Sequence, residues 1–91
     1  MGFEWDEDKN RAKLLKHGIS FQEAELIFEG PTFSRQDLRF DYGEVRTLSI
    51  GLIREVVAVA VVHTDRQGTV RIISARLANR QERKTYHEHY R

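Results

Sequence analysis

The 91-residue chain contains no cysteine, which excludes disulfides, thiolate zinc sites and a cysteine nucleophile. Its longest unbroken apolar run, Val56 to Val62, falls far short of the roughly 20 residues a membrane-spanning helix needs, and no apolar leader opens the sequence. These absences predict a cytoplasmic protein that does not enter the membrane. A glycine-rich phosphate loop, a serine nucleophile elbow and a zinc-helix motif are missing as well. The four histidines do not space as metal ligands: His87 and His89 are two apart on a helical pattern, and His17 and His63 stand alone. No metal and no cofactor is therefore expected.

With 40% hydrophobic and 32% charged residues the sequence is that of an ordinary folded domain, and its length permits one core, residues 1–91. The net charge of +1 hides an asymmetry. Residues 1–30 hold seven acidic and four basic side chains, residues 31–68 five of each, and residues 69–91 two acidic and six basic. A polyanionic partner is the functional reading of such an end; a solvated charged face is the plain one.

Phe3 and Trp5 alternate with Gly2 and Glu4 as in a short strand, and Asp6 then caps a helix over Glu7–His17 that Gly18 ends. Ser20 with Glu23 forms a capping box for a second helix, whose stripe of Phe21, Ala24, Ile27 and Phe28 runs up to the stop at Gly30-Pro31. From there the period changes to two, predicting strands near Thr32–Arg39, Val45–Ile53, Glu55–Thr64 and Thr69–Arg76. Short turn-like links make these an antiparallel meander, with the doubly apolar Val56–Val62 segment at its centre. Thr47, Ser49 and Gly51 are predicted to form an open face. Asn79 with Glu82 caps a final helix reaching about His89. The fold class is α+β: an antiparallel sheet carrying two N-terminal helices and a C-terminal helix.

That last helix has few core residues, while Arg80, Arg83, Lys84, His87 and Arg91 give it a broad polar surface next to Arg76 at the preceding strand end. Together they suit phosphate groups. Glu82 has the chemistry of a general base, and Tyr86 one turn later that of a phosphate or base contact; capping and anchoring are the structural alternatives. Arg71 and Arg76 differ in parity, so they point to opposite faces unless the strand bulges or ends early and only one is expected to be catalytic; Arg76 is favoured because it lies next to the helix. His63 near the end of the central strand is a further acid–base candidate, because its unperturbed pKa lies near neutrality. Lys16-His17-Gly18 reads either as a functional cluster or as a cationic last helical turn closed by glycine.

Several segments together resemble the BrnT family, the toxin component of bacterial type II toxin–antitoxin pairs. They are Phe3-Glu4-Trp5-Asp6 with Lys9, Lys16-His17-Gly18-Ile19-Ser20-Phe21 with Glu23-Ala24, Tyr42-Gly43-Glu44 with Arg46, His63-Thr64 with Arg66, and Arg71 to Arg76 with Ala78, Glu82-Arg83 and Tyr86. Two positions depart from the family pattern, Lys13 in place of an Asn and Leu77 in place of a Lys. The resemblance implies a RelE-like fold and a metal-independent ribonuclease that arrests translation. It also implies a BrnA-type antitoxin that neutralises the toxin and binds operator DNA. On that basis Arg76 and Arg83 are expected to stabilise the phosphorane, with Glu82 or His63 as base and Tyr86 or a histidine on the leaving side. Arg80, Lys84, His87 and Lys16 are expected to hold RNA. The competing functions are a non-catalytic subunit that docks its basic helix on an acidic protein or on DNA, and a toxin-like fold that has lost activity.

Overall fold

The computed structural model describes residues 2–38, 41 and 43–90. Along the chain run β1 (Gly2–Trp5), α1 (Glu7–His17), the single turn α2 (Phe21–Ala24) continuing as a 3-10 helix (Glu25–Glu29), then β2 (Phe33–Gln36), β3 (Thr47–Ile53), β4 (Val57–Arg66), β5 (Thr69–Leu77) and α3 (Arg80–His89). Five strands form one sheet in the order β1-β5-β4-β3-β2. The four later strands make the expected antiparallel meander with β4 at the centre. Its apolar residues on both faces are what a strand covered from both sides requires. The sheet as a whole is mixed, because β1 lies parallel to β5 at the edge.

Local chemistry sets the helix ends. The Asp6 carboxylate accepts from the amides of Asp8 and Lys9, and Gly18 adopts the left-handed conformation (φ 75°) that closes α1 onto the Leu14 carbonyl. The second helix is capped as its box predicts, the Ser20 hydroxyl accepting from the Glu23 amide and the Glu23 carboxylate from the Ser20 amide. It tightens to 3-10 geometry after one turn. The buried Asn10 ties α1 to α2: its side-chain oxygen accepts from the Phe21 amide at 2.8 Å and its amide donates to Gln22 at 2.8 Å. The strand expected over Thr32–Arg39 is paired only from Phe33 to Gln36; Arg39 lies outside the described residues.

Two apolar layers flank the sheet. Phe21, Ala24 and Ile27 pack on Val59, Val61, Ile72 and Ala75 from one side. On the other, Ala78 and Tyr86 pack with Leu48, Ile50, Ala58 and Ala60. The Ser49 and Gly51 face of β3, expected to be open, is covered: Ser49 is 1% exposed, and a Cβ on Gly51 would lie 2.8 Å from the Ile27 Cβ. Absence of a side chain at Gly51 lets the 3-10 helix approach the sheet, so the polar pattern of that face marks close packing and not solvent.

A bulge in β5 changes which residues share a face. Val62 pairs with Ser74 but His63 with Ile72, so Ile73 is an extra residue on β5. Arg76 opposite Ala60 and Arg71 opposite Thr64 therefore lie on the same face of the sheet, against the simple parity expectation. Arg71 is paired there with Glu4, its register neighbour on β1, at 3.6 Å. No described helix is long and apolar enough to cross a membrane.

Candidate functional site

The junction of β5 and α3 is built around one carboxylate. Asn79 caps α3, its side-chain oxygen accepting from the Glu82 amide at 2.8 Å, while Glu82 Oε1 accepts from the Asn79 amide at 2.9 Å. Arg76, at the end of β5, donates from Nη1 and Nη2 to the two Glu82 oxygens at 2.7 and 2.9 Å. The Glu82 side chain is 7% exposed and that of Arg76 37%. The hydrogen bonds from Arg76 hold the Glu82 carboxyl below its ordinary pKa; burial opposes this, and the Asn79 amide with the charges of Arg76 and Arg35 adds to it. A carboxylate so stabilised is a weak base. Its structural effect is to fix a planar guanidinium in one orientation.

Arg76 and Glu82 line a groove of about 960 Å³ on the α3 face of the sheet. Leu48, Val62, Ile73 and Ser74 contribute its floor. One wall is α1, through Lys9, Ala12, Lys13 and His17; another is Arg35 to Leu38 of β2 and its continuation, with Arg46 entering before β3. Five cationic side chains thus face two carboxylates, Asp37 and Glu82. An apolar floor under a cationic rim is the surface on which a nucleobase can lie while its phosphate is held electrostatically.

The other expected site residues are not gathered here. His63 is 4% exposed and lies on the opposite face, edge-on to Phe28, with Nε2 at 2.7 Å from Ser49 Oγ and Nδ1 at 2.9 Å from Asp65. Ser49 Oγ in turn bonds Ser34 Oγ at 2.7 Å. This chain resembles a hydrolytic triad in residue type only, because the buried Ser49 hydroxyl is closed to a substrate. Tyr86 is turned onto the sheet, donating its hydroxyl to the Pro31 carbonyl at 2.9 Å, and burial raises its pKa, with Tyr90 adding to the shift. Tyr90 is likewise bonded to the Thr32 carbonyl. Arg83 is exposed and donates to the Ala78 carbonyl at 2.9 Å, at the same strand–helix junction as Arg76. Arg80, Lys84 and His87 on α3, and Lys16 on α1, are exposed and do not line the groove.

The groove residues that the sequence reading did not assign to the site are Lys9, Lys13, Arg35 and Arg46, although Lys9, Lys13 and Arg46 figured in the comparison with the family pattern. Lys9, Lys13 and His17 recur at intervals of four, which places them on one side of α1. That stripe was the available signal. Arg35 carried none and Arg46 only its place in the family resemblance, since β2–β3 pairing, continued by the Asp37 amide bonded to the Arg46 carbonyl, brings them to the groove. Among the described residues no group of three or more His, Asp or Glu side chains could hold a metal ion.

Comparison with known proteins agrees with this architecture. A family model described as the ribonuclease toxin BrnT of type II toxin–antitoxin systems matches residues 5–82. The crystal structure of the Brucella abortus ribonuclease toxin BrnT is 25% identical, with a TM-score of 0.65 over 88% of this chain and 99% of that one. No curated protein sequence matches. The family model runs from the last residue of β1 to the first turn of α3, taking in both walls of the groove and the Arg76–Glu82 pair, and the chain therefore belongs to the BrnT family of ribonuclease toxins of type II toxin–antitoxin systems.

Proposed function

We propose that this protein is a metal-independent endoribonuclease that acts in the cytoplasm and inhibits translation by cutting RNA in the groove between α1 and α3. The observation that carries the reading is the cation-lined groove with the Arg76 guanidinium held in place on its lining by Glu82. Without a metal, cleavage requires removal of the ribose 2′-proton, stabilisation of the phosphorane charge and protonation of the departing 5′-oxygen. Arg76 supplies the second function, reinforced by Lys13 and Arg35 from the walls and by Arg83 at the junction. Glu82 acts as a positioning residue for Arg76, a role that fits its lowered pKa and the three hydrogen bonds it accepts. Geometry favours structural roles for Tyr86 and His63, each committed to internal partners. Arg80, Lys84, His87 and Lys16 meet only parts of a longer RNA away from the scissile bond.

A cognate BrnA-type antitoxin neutralises the toxin by covering the groove, and the resulting complex binds operator DNA through the antitoxin. The test is incubation of the pure protein with single-stranded RNA in EDTA. Products ending in 2′,3′-cyclic phosphate and 5′-hydroxyl are expected. Intact RNA, or cleavage only on addition of magnesium, overturns the reading.

A further inference from the structure

We propose that His17 is the general base of this site, taking the proton from the ribose 2′-hydroxyl. The inference deepens the ribonuclease reading and rests on it. His17 closes α1, and its backbone is fixed because the last turn is locked by the left-handed Gly18, whose amide donates to the Leu14 carbonyl at 2.8 Å. The half-buried imidazole lines the same groove as Arg76, on the wall that also carries Lys13.

Of the two carboxylates lining the groove, Glu82 is held by three hydrogen bonds from Arg76 and the Asn79 amide, and Asp37 lies on the other wall, just past β2; His63 is on the far side of the sheet. The charged groups around His17 are Lys9, Lys13 and Lys16 on α1, Arg76 on β5, and Arg35, Arg46, Asp37 and Glu82 around the groove. Burial, then Lys16, Lys13 and Arg76 in that order, hold the imidazole below its ordinary value of 6.5. It is therefore unprotonated at neutral pH, the state a base must occupy.

In the reaction the free ring nitrogen removes the 2′-proton as the 2′-oxygen bonds to phosphorus. The bond from phosphorus to the 5′-oxygen breaks, and its electron pair stays on that oxygen, which takes a proton from water. The imidazolium then returns its proton to the hydroxide so formed, leaving a 2′,3′-cyclic phosphate and a 5′-hydroxyl.

The test measures kcat from about pH 5 to 9 in EDTA on a fluorescent oligoribonucleotide, and binding of its uncleavable all-deoxy analogue, for wild type, His17→Gln and Lys16→Gln. His17→Gln should lower kcat by about 100-fold or more and abolish the acidic limb of the profile. Its affinity for the deoxy analogue should stay within about threefold, since uniform binding is not what a base supplies. Lys16→Gln, which removes a neighbouring cation from an exposed position, should move the acidic limb to higher pH. A His17→Gln enzyme that keeps the acidic limb, or that loses binding and kcat together, overturns the proposal, as does a Lys16→Gln profile that does not move. If wild type leaves the RNA intact, the ribonuclease reading itself fails, and the role of His17 with it.

Discussion

Replacing Arg76 by alanine should destabilise the fold by about 2 kcal/mol, because it strands a carboxylate. Removing one partner of a buried ion pair costs about 3–5 kcal/mol. Arg76 is 37% exposed, and Glu82 retains the Asn79 amide, so solvent screening and the surviving bond place the loss below that range. For a domain of this size that is a fall of about 10 °C in Tm. The pH dependence separates this cause from a general loss of packing. Glu82 has a folded-state pKa below its ordinary value near 4.5, so its pairing contributes stability that is fully present above pH 4.5 and is lost as pH falls through the folded value. Without Arg76 the main source of that depression is gone. Urea denaturation of wild type and Arg76→Ala at neutral pH and in steps down to about pH 3 should show a gap that narrows only below 4.5. A gap under about 0.5 kcal/mol at neutral pH, or one that stays constant through the acid range, refutes the reasoning.

Tyr86→Phe removes only the hydroxyl bonded to Pro31; it should cost about 1 kcal/mol in urea melts and leave the RNA cleavage rate within about threefold, whereas a catalytic hydroxyl would show a much larger loss of kcat. Gly51→Ala should destabilise by about 1–3 kcal/mol, since the added Cβ meets Ile27 at 2.8 Å; a neutral effect would mean that the 3-10 helix is not pressed onto β3. Asn79→Ala should lose about 1 kcal/mol through the α3 cap and lower kcat as well, because the same box positions Glu82 and hence Arg76. Glu55→Gly, at a turn position with φ 63°, should raise the urea midpoint, adding up to about 1 kcal/mol.

Where structure depends on neighbours in sequence, the chain was readable. Asp6, the Ser20–Glu23 and Asn79–Glu82 boxes and Gly18 set helix ends through bonds spanning four residues or fewer, and all form. The apolar Val56–Val62 run marked the central strand for an equally local reason. Legibility failed where distant segments meet. Pairing of β1 with β5 joins the first strand to the last and leaves no local signature. The β5 bulge contains no glycine to announce it, yet it moves Arg71 onto the face of Arg76. Charge patterning pointed to α3, whose outer cations lie outside the groove, and passed over the Lys9–Lys13–His17 side of α1, because a cationic helix face looks the same whether it meets solvent or a substrate.

The claim that RNA is held in the groove, and not on the outer face of α3, is tested most directly by NMR titration of the uncleavable all-deoxy oligonucleotide into labelled wild-type protein. The account predicts that the largest amide shifts fall on Lys13, His17, Ser74, Arg76 and Asn79, all lining the groove, with His17 ring signals moving in step. Shifts confined to Arg80, Lys84 and His87, with the groove unperturbed, would contradict it.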